Sequence, residues 1–293
     1  MTSVGAQDVL DLLADALNDL EKAVVFHAGV AAPSHTVVTV EGLETPQVSI
    51  ALGRYLVGAL AGAVGLDARL SADLLAVGVD RREEVRRTVE SLIGTGNLFV
   101  TVDELQFRDT RRNAWIGEGV GHALLALSAR TETSCVDGRI CTLTEVHQTP
   151  TRQGLDSVST YVQNGVLGVA IGESKSTESN ASANLSSAAT LFVDVEQGIY
   201  GPDLRARLTT FRAVLDPSLK PQVTDSLWTN NASYLPTIVY QDAFNVSTNR
   251  PKLAQLAQPT ERKRLIVIRL QQFQAFFDAI ADAMRAAVAE VVV

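Results

Sequence analysis

Apolar and polar positions alternate along the chain with two different periods, and these periods predict its helices and strands. Apolar residues that recur every three or four positions predict helices over residues 9–26, 47–64, 81–93, 115–130, 184–197 and 272–288. Shorter β-prone runs bounded by turn residues predict strands over residues 36–40, 98–102, 237–240 and 265–270, with a strand-rich block over 139–175. Because strands and helices follow one another in this order, we expect an α/β domain over roughly the last two-thirds.

The composition narrows the class of protein. Apolar residues make up 46% of the 293 positions and charged residues 20%, so the chain can form a large core and wholesale disorder is excluded. The formal net charge of −8 argues against a protein that coats nucleic acid by bulk charge alone. Only five of the 25 basic residues are lysines, at positions 22, 175, 220, 252 and 263. A lysine next to candidate catalytic residues is therefore unusual in this chain.

Two further features concern the compartment. Cys135 and Cys141 do not make a disulfide framework, and a hairpin turn at residues 137–138 would leave their thiols in positions that do not face each other. No basic segment followed by an apolar run opens the sequence, and no apolar stretch reaches the roughly 20 residues that a membrane span requires. We therefore expect a soluble, cytoplasmic protein with reduced thiols and no membrane partner.

Asn164-Gly165 is the strongest local signal in the sequence. Between two β-prone runs this dipeptide predicts a type I′ turn in a two-residue hairpin, in which Gln163 faces Val166. The pairing then continues strictly along the hairpin and brings Asp156 opposite Glu173, at the end of a mostly apolar row. Side chains two residues apart in a strand share a face, so Lys175 points to the same side as Glu173.

Two facing carboxylates beside an ammonium group predict a cation site. Facing Cβ atoms in a hairpin lie only about 4.5–5.5 Å apart, so two like charges there repel each other. Either one carboxyl group takes up a proton or a bound cation neutralises the pair. Carboxylate oxygens suit a hard ion such as Mg²⁺, with Mn²⁺ as the alternative, and such an ion next to a lysine suits phosphodiester hydrolysis.

Asp156 followed by Glu173-Ser174-Lys175 after a hairpin resembles the Asp…Glu-x-Lys core of the PD-(D/E)xK nuclease superfamily. The resemblance implies a restriction-endonuclease-like core, a mixed sheet with a catalytic hairpin flanked by helices, over residues 111–293. A mainly helical N-terminal region over residues 1–110 would precede it. Leu155 lies where the motif has a proline. This difference does not alter the residues that would bind the metal.

The resemblance also implies roles for individual residues and for partners. Asp156 and Glu173, with Ser174 between the motif residues, would hold the metal, Lys175 would orient the attacking water, and Glu118 would be the acid on the preceding helix. The Gly-Glu, Gly-Leu-Asp and Gly-Glu-Ser-Lys segments are similar to those of the nuclease subunits of Hachiman anti-phage defence systems. That similarity implies a DNA endonuclease that acts as a defence effector with a helicase partner.

Other readings of the same residues stay open. The acids and the lysine could form a structural ion-pair cluster, or the chain could be a non-catalytic DNA- or partner-binding subunit with a degenerate nuclease fold. Glu118 lies nearly opposite the apolar face of its helix, so it either faces the sheet or is solvated. His122 lies one turn from Glu118 and could approach the site, but we expect a structural role for it. The alternation of Glu145-Val146-His147 could bring His147 to the same face as Asp156, but we expect surface exposure for His147. Three arginines before the Glu118 helix are the best candidates for DNA contacts: Arg108, Arg111 and Arg112.

Overall fold

The computed structural model describes residues 4–72, 81–130, 135–149 and 154–291, and a seven-stranded mixed sheet runs through its centre. The strands are β1 (Val25–Ala31), β2 (Thr36–Glu41), β3 (Arg139–Leu143), β4 (Ser157–Gln163), β5 (Val166–Thr177), β6 (Ala232–Tyr240) and β7 (Arg264–Arg269). Their order across the sheet is β1-β2-β7-β6-β5-β4-β3. The four central strands are parallel, whereas β1 at one edge and β4 and β3 at the other pair antiparallel. The expected α/β class is confirmed.

Helices cover both faces of this sheet. One face packs against α1 (Val4–Ala23), α2 (Pro46–Ala72), α3 (Arg81–Ile93), α5 (Asn113–Leu127) and α10 (Phe273–Ala287). The other face packs against α6 (Ala181–Glu196), α7 (Gly201–Val214), α8 (Leu227–Asn231) and α9 (Pro251–Gln255). A short helix, α4 (Val102–Phe107), and a π-helical turn (Arg108–Arg112) lead directly into α5. The sheet therefore separates two apolar cores, because alternate side chains of each strand enter opposite ones.

The N-terminal region belongs to the same packed unit as the rest of the chain. β2 pairs in parallel with β7, from Thr36 with Arg264 to Thr39 with Val267, and α1, α2 and α3 share a core with α5 and α10. Residues 1–110 and 111–293 are thus two stretches of sequence that meet in one sheet, and the first contributes two strands as well as helices. Among the described residues, no helix combines the length and the apolar character needed to cross a membrane.

The sequence pattern misplaces two elements of this region. The first helix ends at Ala23 instead of continuing to residue 26, and the next residues form β1, which pairs with β2 at the sheet edge. The strand expected over 98–102 is absent. There Thr101 accepts a hydrogen bond from the Glu104 backbone N–H, the Glu104 side chain accepts one from the Thr101 N–H, and this capping box begins α4.

Candidate metal centre

The hairpin that carries the candidate residues has the register that the sequence predicts. Asn164 and Gly165 adopt left-handed backbone angles, with φ of 51° and 79°, which a type I′ turn requires. Pairing of β4 with β5 runs from Gln163 opposite Val166 to Ser157 opposite Gly172. Asp156 directly precedes β4, and its Oδ2 accepts a hydrogen bond of 2.7 Å from the backbone N–H of Ser174. This bond holds the carboxylate beside β5 at the end of the hairpin.

Glu173 and Lys175 form a buried ion pair on β5. Oε1 of Glu173 lies 2.6 Å from Nζ of Lys175, and the two side chains are 6% and 31% exposed. The second oxygen, Oε2 of Glu173, is buried and accepts no hydrogen bond from an N–H or hydroxyl group of the described residues, although a protonated Asp156 carboxyl group would donate to Glu173. An unsatisfied carboxylate oxygen in the interior is energetically costly, so this atom is a natural position for a cation.

Burial and neighbouring charges raise the pKa of Asp156 and of Glu173. Burial raises the pKa of Asp156 well above its ordinary value, and repulsion from Glu118 and Glu173 raises it further. Burial also raises the pKa of Glu173, although the adjacent Lys175 opposes this effect. Burial alone would lower the pKa of Lys175, but the neighbouring carboxylates outweigh it and raise that pKa. Three carboxyl groups therefore share one ammonium group in a partly desolvated space.

Helix α5 brings Glu118 to this cluster through close packing against β5. A Cβ atom on Gly117 would lie 1.9 Å from Oγ of Ser176, and one on Gly121 would lie 2.4 Å from Oγ of Ser174. Two glycines one turn apart thus let the helix axis approach the strand more closely than residues with side chains would allow. Glu118 follows Gly117, and its side chain lies close to Asp156, directly before the start of β4. This side chain is 28% exposed. Of the two expected orientations of Glu118, towards the sheet or towards solvent, the structure has the first.

His147 is the functional candidate that the sequence pattern missed. Its side chain is only 5% exposed, and its Nδ1 lies 3.7 Å from Oε2 of Glu118. Glu118, His147 and Asp156 each offer a ligand atom, and these atoms lie within 4.8 Å of one another. The expectation of surface exposure for His147 is wrong, because the segment after β3 packs against α5 and is hydrogen-bonded to it. Only the alternation of Glu145-Val146-His147 hints at this in the sequence.

Ser174 takes part through its backbone. The N–H donates to Asp156, whereas the hydroxyl faces Gly121 on α5, on the opposite side of β5 from Glu173 and Lys175. The hydroxyl of Ser174 therefore faces away from the side chains of Glu173 and Lys175, its two neighbours in the sequence.

Arg112 is not available for the expected contacts with DNA. The residue is fully buried, its guanidinium donates to Oδ1 of Asp278 at 2.6 Å and to Oδ1 of Asn97 at 3.0 Å, and it stacks over Phe99. A cation satisfied inside the protein does not reach a phosphate, so Arg112 is part of the scaffold.

The two neighbouring arginines lie closer to solvent. Arg111 is exposed. Arg108, whose side chain is 25% exposed, pairs with Asp109 at 2.7 Å. That pair raises the pKa of Arg108, and the charge of Glu178, three residues after Lys175, adds to the effect. Arg108 therefore lies near the end of β5 that carries the acids.

The remaining candidates have structural roles. Nε2 of the buried His122 donates to the carbonyl of Thr144 at 2.6 Å, and the Tyr55 hydroxyl donates to Nδ1 at 2.8 Å. Burial lowers the pKa of His122 to about 4, so the ring is neutral at pH 7 and can accept that second bond. Cys135 and Cys141 are not joined by a disulfide, as expected from their spacing.

Comparison with known proteins gives no family for this chain. No protein-family model matches the sequence, and no curated protein matches it.

Proposed function

We propose that this protein is a metal-dependent phosphodiesterase that cleaves DNA, with its site at Asp156, Glu173, Lys175 and Glu118. The observation that carries the proposal is the Glu173 carboxylate. One of its oxygens binds Lys175 at 2.6 Å, and the other is buried beside Asp156 and accepts no hydrogen bond from an N–H or hydroxyl group of the described residues. If all three acids are ionised, Lys175 compensates only one of the negative charges, and a divalent cation would compensate the rest.

The donor set fits a divalent cation. Asp156 and Glu173 supply carboxylate oxygens, which Mg²⁺ and Mn²⁺ prefer, and the Ser174 N–H fixes the orientation of Asp156. A cation bound there would supply positive charge next to the scissile phosphate. Because the proposed ligands come from both strands of one hairpin, their spacing is set by the register of that hairpin and does not depend on a mobile loop.

Lys175 and Glu118 would divide the proton chemistry between them. Lys175 keeps its proton at neutral pH in the metal-free protein, so its ammonium group acts as a donor that orients water and stabilises developing negative charge. Glu118 is the more exposed acid, so it can accept a proton from the attacking water and release it to solvent. Lys175 would therefore act as the hydrogen-bond donor of the site and Glu118 as its proton acceptor.

DNA is the substrate that the flanking charge and the resemblance to PD-(D/E)xK nucleases favour. Arg108 lies near the end of β5 that holds the acids, and Arg111 is exposed on the turn that leads into α5. Cations at such positions hold phosphates without reading sequence. The net charge of −8 makes strong DNA binding by the chain alone unfavourable, which supports delivery of the DNA by a partner. A helicase subunit in an anti-phage defence system is the partner that the resemblance suggests.

The decisive experiment compares cleavage and cation binding in the full chain and in two lysine variants. Supercoiled, linear duplex and single-stranded DNA are incubated with Mg²⁺ or Mn²⁺, with and without a candidate helicase subunit. We expect chelator-sensitive cleavage that falls by about 100-fold or more in Lys175→Met. Lys22→Met, which removes a lysine that is 74% exposed on α1, serves as the matched control and keeps full activity.

Two results would contradict the proposal. Cleavage that survives both chelation and Lys175→Met would place the chemistry elsewhere. A folded wild-type protein that shows no heat of Mg²⁺ or Mn²⁺ binding in calorimetry would favour a non-catalytic subunit that binds DNA or a partner.

A further inference from the structure

His147 offers a nitrogen donor to the acidic cluster, and the proposed reaction does not use it. Its side chain is 5% exposed, and no hydrogen bond to its ring is found among the described residues. The nearest polar contact is the 3.7 Å approach of Nδ1 to Oε2 of Glu118, which is too long for a hydrogen bond. An imidazole whose Nδ1 approaches one carboxylate and lies close to a second is well placed to bind a cation together with them.

The position of His147 is fixed by α5. Nε1 of Trp115, which is buried, donates to the carbonyl of His147 at 2.8 Å. Seven residues further along the helix, His122 donates to the carbonyl of Thr144. Residues 115, 118 and 122 share one helix face, so the two anchoring bonds flank Glu118. Residues 144–147 are therefore hydrogen-bonded to the same face of α5 that carries Glu118.

This arrangement brings three side chains from three separate parts of the chain to one point. Glu118 comes from α5, His147 from the segment after β3 and Asp156 from the start of the hairpin, and their ligand atoms lie within 4.8 Å of one another. A second observation is independent of these three residues. Oε2 of Glu173, on the residue that neighbours Asp156 across the hairpin, lies outside this group of three but is buried and has no hydrogen-bond partner among the described residues.

We propose that Glu118, His147 and Asp156 together bind a divalent transition-metal cation, with His147 as a nitrogen ligand. The inference rests on the proposed function in that Asp156 and Glu118 belong to both sites. Imidazole suits transition metals, whereas Mg²⁺ is held by oxygen ligands. A mixed nitrogen and oxygen donor set therefore selects Mn²⁺ over Mg²⁺ at this position, and Mn²⁺ is the probe of choice.

The experiment is pulsed electron paramagnetic resonance of Mn²⁺ bound to the full chain. A directly bound histidine produces a ¹⁴N modulation of the Mn²⁺ echo, and we expect this signal in the wild-type protein. It should disappear in His147→Gln, with an Mn²⁺ affinity that falls by about tenfold or more while Mg²⁺ affinity changes less. His27→Gln is the matched control, since His27 is exposed on the edge strand β1 and pairs with Glu41; this variant keeps the signal.

A second measurement needs no substitution at the site. Wild-type protein labelled with ¹⁵N-histidine must show the ¹⁵N pattern in place of the ¹⁴N modulation, which assigns the signal to histidine even if His147→Gln does not fold. Mn²⁺ binding without any histidine nitrogen signal would overturn the inference and leave the proposed function intact, because the acids alone would then hold the ion. A nitrogen signal that persists in a folded His147→Gln protein would also overturn it. Absence of any Mn²⁺ binding by the folded wild-type protein would defeat both proposals.

Discussion

The backbone N–H of Ser174 donates a hydrogen bond of 2.7 Å to Oδ2 of Asp156, across the open end of the hairpin. The bond extends the β4–β5 pairing by one step beyond its last pair, Ser157 with Gly172. It also holds a carboxylate beside Glu173 although burial and the charges of Glu118 and Glu173 favour its protonation. The fold therefore keeps these acids together at a cost in free energy, as sites that bind cations commonly do.

Asp156→Asn should separate stability from function. Asparagine keeps an acceptor for the Ser174 N–H and removes one of the crowded negative charges, so the metal-free variant should unfold with a free energy equal to that of the wild type or higher by up to about 2 kcal/mol. Divalent cation affinity and DNA cleavage should both be lost. Urea denaturation with and without Mn²⁺ measures the two effects. A metal-free variant that is destabilised by more than about 2 kcal/mol would mean that the carboxylate itself stabilises the fold.

The stability difference between the wild type and Asp156→Asn should depend on pH. The pKa of Asp156 is raised in the folded protein, so its contribution is fully present below its unfolded value of about 4 and is lost as the pH rises through the folded value. In the absence of metal, the wild type should therefore become less stable relative to the variant as the pH increases from about 4 towards neutrality. Saturating Mn²⁺ should reverse this trend, because the cation binds the ionised folded protein.

Asp216→Asn provides the control with the opposite sign. Hydrogen bonds from the hydroxyl and N–H of Ser218 lower the pKa of Asp216, so the wild type should lose stability relative to this variant as the pH falls. Thermal melts of the three proteins across the same pH series make the comparison. Parallel curves for the wild type and Asp156→Asn would contradict the raised pKa.

Trp115→Phe should weaken cation binding without removing a ligand. Phenylalanine has no N–H to donate to the His147 carbonyl, so the segment 144–147 loses one of its two anchors on α5. We expect Mn²⁺ affinity to fall by about tenfold or more, as for other residues that orient metal ligands. Trp228→Phe is the matched control, because Trp228 is buried on the opposite face of the sheet. Equal losses of affinity in both variants would indicate a general effect of tryptophan removal.

Arg112→Met should destabilise the protein. The substitution removes a buried guanidinium that binds Asp278 and Asn97. Gln274 still donates to Asp278 and Arg285 to Asn97, but Asp278 loses the cation that neutralises it. We expect a loss of about 2–4 kcal/mol in the free energy of unfolding, since Asp278 keeps some access to water. Urea denaturation of the variant measures this loss. A variant as stable as the wild type but deficient in DNA binding would restore Arg112 to the DNA surface.

Arg111→Gln should have the complementary phenotype. Arg111 is exposed, so its removal should leave the unfolding free energy within about 0.5 kcal/mol of the wild type. DNA binding should weaken to a similar extent for all sequences, and the salt dependence of the affinity should decrease by about one phosphate contact. Fluorescence anisotropy over a salt series tests this, and an unchanged salt slope would exclude Arg111 from the DNA surface.

Local chemistry determined the part of the site that lies on the hairpin. Asn164-Gly165 fixes the turn, the turn fixes the register, and the register places Asp156 near Glu173 with Lys175 on the same face. All of these steps act within twenty residues, where the backbone itself transmits the geometry. The same locality explains why the bounds of α3 agree with the sequence pattern, which predicts residues 81–93.

Long-range packing decided the rest, because the residues concerned have no local reason for their positions. Residues 25 and 26 continue a helical pattern in the sequence but become part of β1, because β2 offers them an unpaired edge. In the sequence nothing distinguishes Arg112 from its exposed neighbours. Arg112 is buried because it pairs with Asp278, which lies far away along the chain. Glu118 and His147 meet because two glycines let α5 approach β5 and because Trp115 and His122 fasten the segment after β3. Local sequence thus places Asp156, Glu173 and Lys175 together on the hairpin. The positions of Glu118 and His147 beside Asp156 depend on the packing of α5 against the sheet.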